Sequence, residues 1–108
     1  MISEARMRIA GLVSTADAII ESQELQSPGE WAMTAFSRYR VLELLGVEPV
    51  PPYIGIVDLS PAALIEEATR VAEQLAPSGE HLAWHASLVE ALRCALVDVR
   101  MVSGACDL

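Results

Sequence analysis

Three prolines within four positions, Pro49, Pro51 and Pro52, constrain this 108-residue chain more than any other feature. Proline has no N–H to donate and clashes with the preceding helical turn. It also pushes the residue before it into extended backbone. No helix can pass such a cluster, so the stretch 47–59 is predicted to be an extended connection. On either side of it, apolar residues recur every three or four positions. The spacing therefore predicts an all-α fold: a four-helix bundle of two antiparallel hairpins, with a long Pro-rich extended connection between helices 2 and 3.

Before the prolines, helix 1 is expected over about 3–24, with Ile2, Ala5, Ile9, Leu12, Val13, Ala16, Ile19 and Ile20 forming one stripe. Ser27-Pro28-Gly29-Glu30 has the pattern of a capping box: the serine accepts from the third amide, and the glutamate reaches back. Helix 2 is accordingly predicted over 28–45, through Trp31, Ala35, Tyr39, Leu42 and Leu45, with Gly46 as the left-handed residue that ends it. The connection that follows is apolar as well as Pro-rich. Val50, Tyr53, Ile54, Ile56, Val57 and Leu59 give it reason to lie against the bundle. Its length marks it as a functional loop or a crossover.

Helix 3 is predicted over 61–76, opened by the Ser60-Pro61 cap and stopped by Pro77. Leu64, Ile65, Ala68, Val71, Ala72 and Leu75 line one side, and Glu66 and Arg70 are spaced for an i,i+4 pair on the other. Helix 4 is expected over 79–102, capped at Ser78, with 103–108 as a flexible tail; residues 1–102 then form one domain. No stretch approaches the roughly 18 unbroken apolar residues of a membrane span.

Charge narrows the partners. Fifteen acids against seven bases leave a net charge of −8, and the bases are scattered along the helices. Nucleic-acid binding needs a cationic face that releases counterions, so nucleic acid is set aside. All seven bases are arginine, and neither lysine nor asparagine occurs. Those absent residues have A/T-rich codons, which points to a high-GC bacterial genome. Cys94 and Cys106 make no disulfide framework, and the first residues lack the basic start and apolar run of a signal peptide. A reduced, cytoplasmic protein is expected.

Trp84, Leu88, Ala91, Leu92, Ala95, Leu96, Val99 and Val102 cover close to half the circumference of helix 4. Met33 and Leu44 add a second apolar patch on helix 2, opposite Trp31 and Leu42. Surplus apolar faces on a small chain are commonly met by association, and a two-fold homodimer is the default form. The contrary expectation is that the 47–59 connection covers the surplus by itself.

Candidate chemistry centres on helix 4. His81 and His85 form an H-x-x-x-H pair on its apolar face, but no third ligand follows at metal spacing, so no metal and no cofactor is expected. His85 alone has two readings. It is a core histidine satisfied by a backbone carbonyl or a tyrosine, or it lines a pocket as a general acid/base or ligand anchor. Tyr53, Asp58, Tyr39 and Asp17 are its candidate neighbours, and Trp84 and Arg38 complete the candidate ligand-binding set. Arg38, at the edge of the core stripe, either snorkels outward or anchors an anionic ligand or partner carboxylate. Trp31, Phe36, Tyr39 and Trp84 read as plain aromatic core before they read as a pocket. Cys94, on the weakly apolar back of helix 4, has nothing beside it to lower its pKa.

Two functions follow as expectations. The first is a small acidic accessory or interaction protein, dimeric, meeting a protein partner or a small apolar molecule through its surfaces. The second is a small-molecule-binding protein or cofactor-free enzyme of bacterial specialised metabolism, with His85 as its acid/base or anchor.

Overall fold

The computed structural model describes residues 2–26, 29, 31–46, 60–76 and 79–106. They form helices α1 (Ile2–Gln26), α2 (Ala32–Leu45), α3 (Pro61–Glu73) and α4 (Leu82–Cys106), with one 3-10 turn at Gly79–His81. No strand occurs among the described residues. The expected all-α four-helix bundle is the architecture found.

Side-chain bonds between helices fix their directions. Arg6 at the start of α1 donates to the Leu45 carbonyl at the end of α2, so those two run antiparallel. Trp84 at the start of α4 donates to the Leu44 carbonyl, which makes α4 antiparallel to α2. Arg93 with Glu73, and Arg100 with Glu66, make α3 antiparallel to α4. The order is up, down, down, up. Each helix packs on two others, and the pairs α1–α4 and α2–α3 lie across the diagonals. Gly46 and Ser60 consequently sit at opposite ends of the bundle. Residues 47–59, expected to be an extended connection against the bundle, lie outside the described residues.

The core is built from Ile9, Val13, Ala16 and Ile20 of α1, Val41, Leu42 and Leu45 of α2, Leu64, Ile65, Ala68 and Ala72 of α3, and Leu88, Leu92, Ala95 and Val99 of α4. All but Val41 belong to the predicted stripes; on α2 the inward position is taken by Val41, and Tyr39, placed on that stripe, is exposed. α4 lies between α2 and α3, and its wide apolar face is consumed there: Leu88, Leu92, Ala95 and Val99 are buried, with Trp84 and Leu96 half-buried against them. The surplus expected on that face is used inside this chain. Leu44 likewise packs against the core.

Several helix ends differ from expectation. α2 begins at Ala32, with Trp31 in the cap position and no side-chain cap bond, rather than at 28. Ser27, Pro28 and Glu30 lie outside the described residues. α3 stops at Glu73, and α4 continues to Cys106, through most of the segment expected to be a tail. Residues 79–81 are a 3-10 turn that precedes α4, with Gly79 at φ +59°. Two caps match. Ser60 accepts from the Ala63 amide at 3.2 Å ahead of Pro61, and Gly46 ends α2 at φ 70°. Arg70 pairs with Glu67 rather than Glu66, because Glu66 is taken by Arg100 of α4 at 3.2 Å.

Among the described residues no helix is long and apolar enough to cross a membrane.

Candidate functional site

The seam between α1 and α2 carries most of the buried polar side chains. Asp17 and Arg38 are both only 1% exposed and form a buried ion pair through Arg38 Nη1 and Asp17 Oδ1. The guanidinium Nε donates to Thr34 Oγ1 at 2.9 Å, and the Thr34 hydroxyl donates in turn to the Trp31 carbonyl at 2.7 Å. Among the described residues, Arg38 Nη2 and Ser14 Oγ are buried and find no hydrogen-bond partner. Arg38 therefore does not snorkel. It occupies the inward face of α2 along with Thr34, Val41 and Leu45, where the helical repeat carries it, and it anchors a carboxylate of its own chain.

Outward from this pair, Tyr39 places its hydroxyl 3.5 Å from Glu21 Oε1, and the Arg38 guanidinium lies 5.4 Å from the Tyr39 ring centroid. Burial pushes the Asp17 carboxyl above its ordinary value. The Arg38 charge opposes that rise, and the neighbouring Glu21 adds to it. The Tyr39 phenol is raised by partial burial first and then by the carboxylates of Asp17, Glu21 and Glu24, with Arg38 opposing. The sequence offers Asp17 only as a neighbour of His85, and Tyr39 as such a neighbour, a stripe residue and one of four aromatics; it singles out neither Thr34 nor Ser14. The legible signal was Asp17 on the apolar side of helix 1, at a spacing that a charged residue leaves only when it is paired.

His85 stands on another seam. It is half-buried at the α3–α4 edge, and its Nε2 bonds the Ala72 carbonyl at 2.7 Å. A carbonyl only accepts, so Nε2 carries the proton in this contact. Of the two readings of this residue, the observed partner is the backbone carbonyl. Its surroundings are Ala86, Val89, Glu90, Arg93 and Cys94, lining a depression open to solvent. Asp17 and Tyr39 are not beside it. Tyr53 and Asp58 lie outside the described residues. His81 sits in the 3-10 turn, with its ring edge-on to Trp84 at 6.5 Å between centroids. The histidines are thus not together in the middle of an apolar face, because the helix proper begins only after His81. Among the described residues no group of three His, Cys, Asp or Glu side chains could hold a metal ion.

Trp84 closes the lower end of the bundle. Its Nε1 donates to the Leu44 carbonyl at 2.7 Å, and the Arg6 guanidinium lies 5.1 Å from its ring centroid. Arg6 also donates to the Leu45 carbonyl through Nε and Nη2, at 3.0 and 2.7 Å. Two carbonyls left over at the end of α2 are satisfied in this way. The four aromatics do not form one core: Trp31 is buried and Trp84 half-buried, whereas Phe36 is 85% and Tyr39 48% exposed. Cys94 is free and exposed.

The chain matches no family model, no curated protein and no solved structure.

Proposed function

We propose that this chain is a small acidic accessory protein that works by association, as a homodimer able to meet a protein partner, rather than by catalysis. One observation carries the proposal: Phe36 stands 85% exposed on α2, near the level where Ser37 and Asp98 join that helix to α4. Large apolar side chains held in water on rigid helices mark association surfaces when they cluster. The charged groups support the same reading from the other side. Each of the seven arginines is within reach of an acceptor in its own chain, from the Leu45 carbonyl for Arg6 to Asp17 for Arg38. A reduced bacterial cytoplasm is the setting the composition suggests.

Sedimentation equilibrium on the full chain at micromolar concentration tests it. Twice the mass of one chain is expected, and the mass of a single chain throughout the range would overturn the proposal. The alternative, a small-molecule binder or cofactor-free enzyme using His85, is the weaker one. The ring is committed to Ala72, and the depression beside it is open rather than enclosed.

A further inference from the structure

We propose that the α1–α2 seam holds an internal water molecule that joins Arg38 Nη2 to Ser14 Oγ beside the Asp17 carboxyl. A guanidinium presents five N–H donors and no acceptor. In Arg38 the Nε donor goes to Thr34 Oγ1 and Nη1 goes to Asp17 Oδ1, which leaves Nη2 unpaired among the described residues. The Arg38 side chain is 1% exposed, so bulk solvent does not supply the acceptor. Leaving a buried donor of a charged group unpaired costs more than leaving a neutral one, and buried polar atoms are almost always satisfied. Ser14 poses the same problem from the other helix. Its hydroxyl is buried and unpartnered, although a helical hydroxyl can reach back to the carbonyl four residues earlier, as Thr15 does to Gly11 at 2.8 Å. Ser14 and Asp17 stand three residues apart on α1, which makes their side chains neighbours on one face. The two unpartnered atoms therefore flank a single carboxyl.

The surroundings select the ligand. Nη2 only donates, so whatever binds it must accept. An anion would face the Asp17 oxygens and a cation the Arg38 guanidinium, each in a buried site where charge is weakly screened. A neutral acceptor fits both. Ser14 is 4% exposed and the ion pair 1%, so the ligand is enclosed when the helices close rather than admitted through a mouth. Water is the neutral acceptor present at that moment. It accepts from Nη2 and donates to Ser14 Oγ, with the Asp17 carboxyl close by as a third partner. Water with two or more polar partners is the ordinary occupant of such a site. Because Ser14 belongs to α1 and Arg38 to α2, the water extends the Asp17–Arg38 link between those helices by one turn toward the start of α1.

Relaxation dispersion of the water oxygen nucleus tests this on the full chain, because it detects waters held for longer than the protein takes to tumble. The variants are Ser14→Ala, Asp17→Leu combined with Arg38→Met, and Ser37→Ala, whose hydroxyl bonds Asp98 at the α2–α4 seam. Circular dichroism follows helicity in each. Ser14→Ala removes one polar atom and raises helix propensity, so it is expected to fold even where the double replacement does not. The wild type should show a slow-water signal that Ser14→Ala and the double replacement each lower by one molecule and that Ser37→Ala preserves. A water left on Arg38 without Ser14 loses an anchor and exchanges quickly. A wild type with no slow water overturns the proposal, as does a signal that Ser14→Ala leaves unchanged. A signal lost only in the double replacement would put the water on Arg38 alone and overturn the bridge. Equal loss in Ser37→Ala would mark a general loosening and overturn it too.

Discussion

Asp17 of α1 and Arg38 of α2 meet inside the bundle, each 1% exposed, as an ion pair fastened further by Thr34. Desolvating two charges costs several kcal/mol each, so such a pair adds little net stability; its removal by halves is what destabilises. The two halves are unequal. An aspartate left alone can take up a proton and become neutral, whereas an arginine left alone stays charged. Asp17→Ala is therefore expected to destabilise by about 3–5 kcal/mol, and Arg38→Met by less. Replacing both, as Asp17→Leu with Arg38→Met, should recover most of the loss. Urea denaturation of the three variants measures this, and a double replacement no better than Asp17→Ala alone would contradict it.

The same carboxyl gives stability a pH dependence. Burial holds Asp17 above its ordinary 3.8 in the folded chain, so the folded state binds its proton more tightly than the unfolded state does. The stability this proton contributes is present below 3.8 and is lost as the pH rises through the folded value. Asp17→Asn removes the titrating group. The gap in unfolding free energy between wild type and Asp17→Asn should therefore widen in favour of wild type as the pH falls from neutral toward 4. A gap that narrows over that interval would mean that Arg38, not burial, governs the carboxyl.

His85 offers a smaller and cleaner effect. Its Nε2–H donates to the Ala72 carbonyl near the end of α3, which also accepts the Leu75 amide at 3.2 Å. His85→Ala should cost about 0.5–1.5 kcal/mol, the net worth of a typical hydrogen bond. His85→Gln, which keeps a donor, should recover part of it. Thermal unfolding distinguishes this from a pocket role: a histidine without a structural bond would leave the midpoint unchanged or raised in His85→Leu.

The fold was legible where local chemistry and periodicity agree. Ser60-Pro61 and Gly46 mark helix ends by what their own backbones can do, and the stripes of α1, α3 and α4 became the core. Helix directions were legible only within hairpins. The up-down-down-up order depends on contacts such as Arg6 with Leu45 and Arg93 with Glu73, far apart in sequence. The wide face of α4 suggested a surplus because periodicity cannot count how many neighbours a helix has. With both α2 and α3 packed on it, the surplus vanished there, and the exposed apolar residues among those described, Met7, Leu25, Phe36, Leu82, Val97 and Met101, are spread over three helices. Arg38 had two readings for a related reason. Its place at the stripe's edge was visible, but only Asp17, from another helix, decides whether an edge arginine turns out or in.

Gly46 joins local conformation to tertiary contact, and so allows a prediction with two separable parts. Its φ of 70° is left-handed, and a Cβ built there would approach Arg6 Nη2 to 3.2 Å. Gly46→Ala should therefore destabilise through the backbone by about 1–2 kcal/mol, and additionally by crowding the guanidinium that donates to Leu45. Arg6→Met removes the second part while leaving the first. If both terms act, Gly46→Ala should cost less in the Arg6→Met background than in the wild type, and the double-mutant cycle should return a coupling outside experimental error. Equal costs in the two backgrounds would assign the whole effect to the backbone and leave Arg6 free to shift aside.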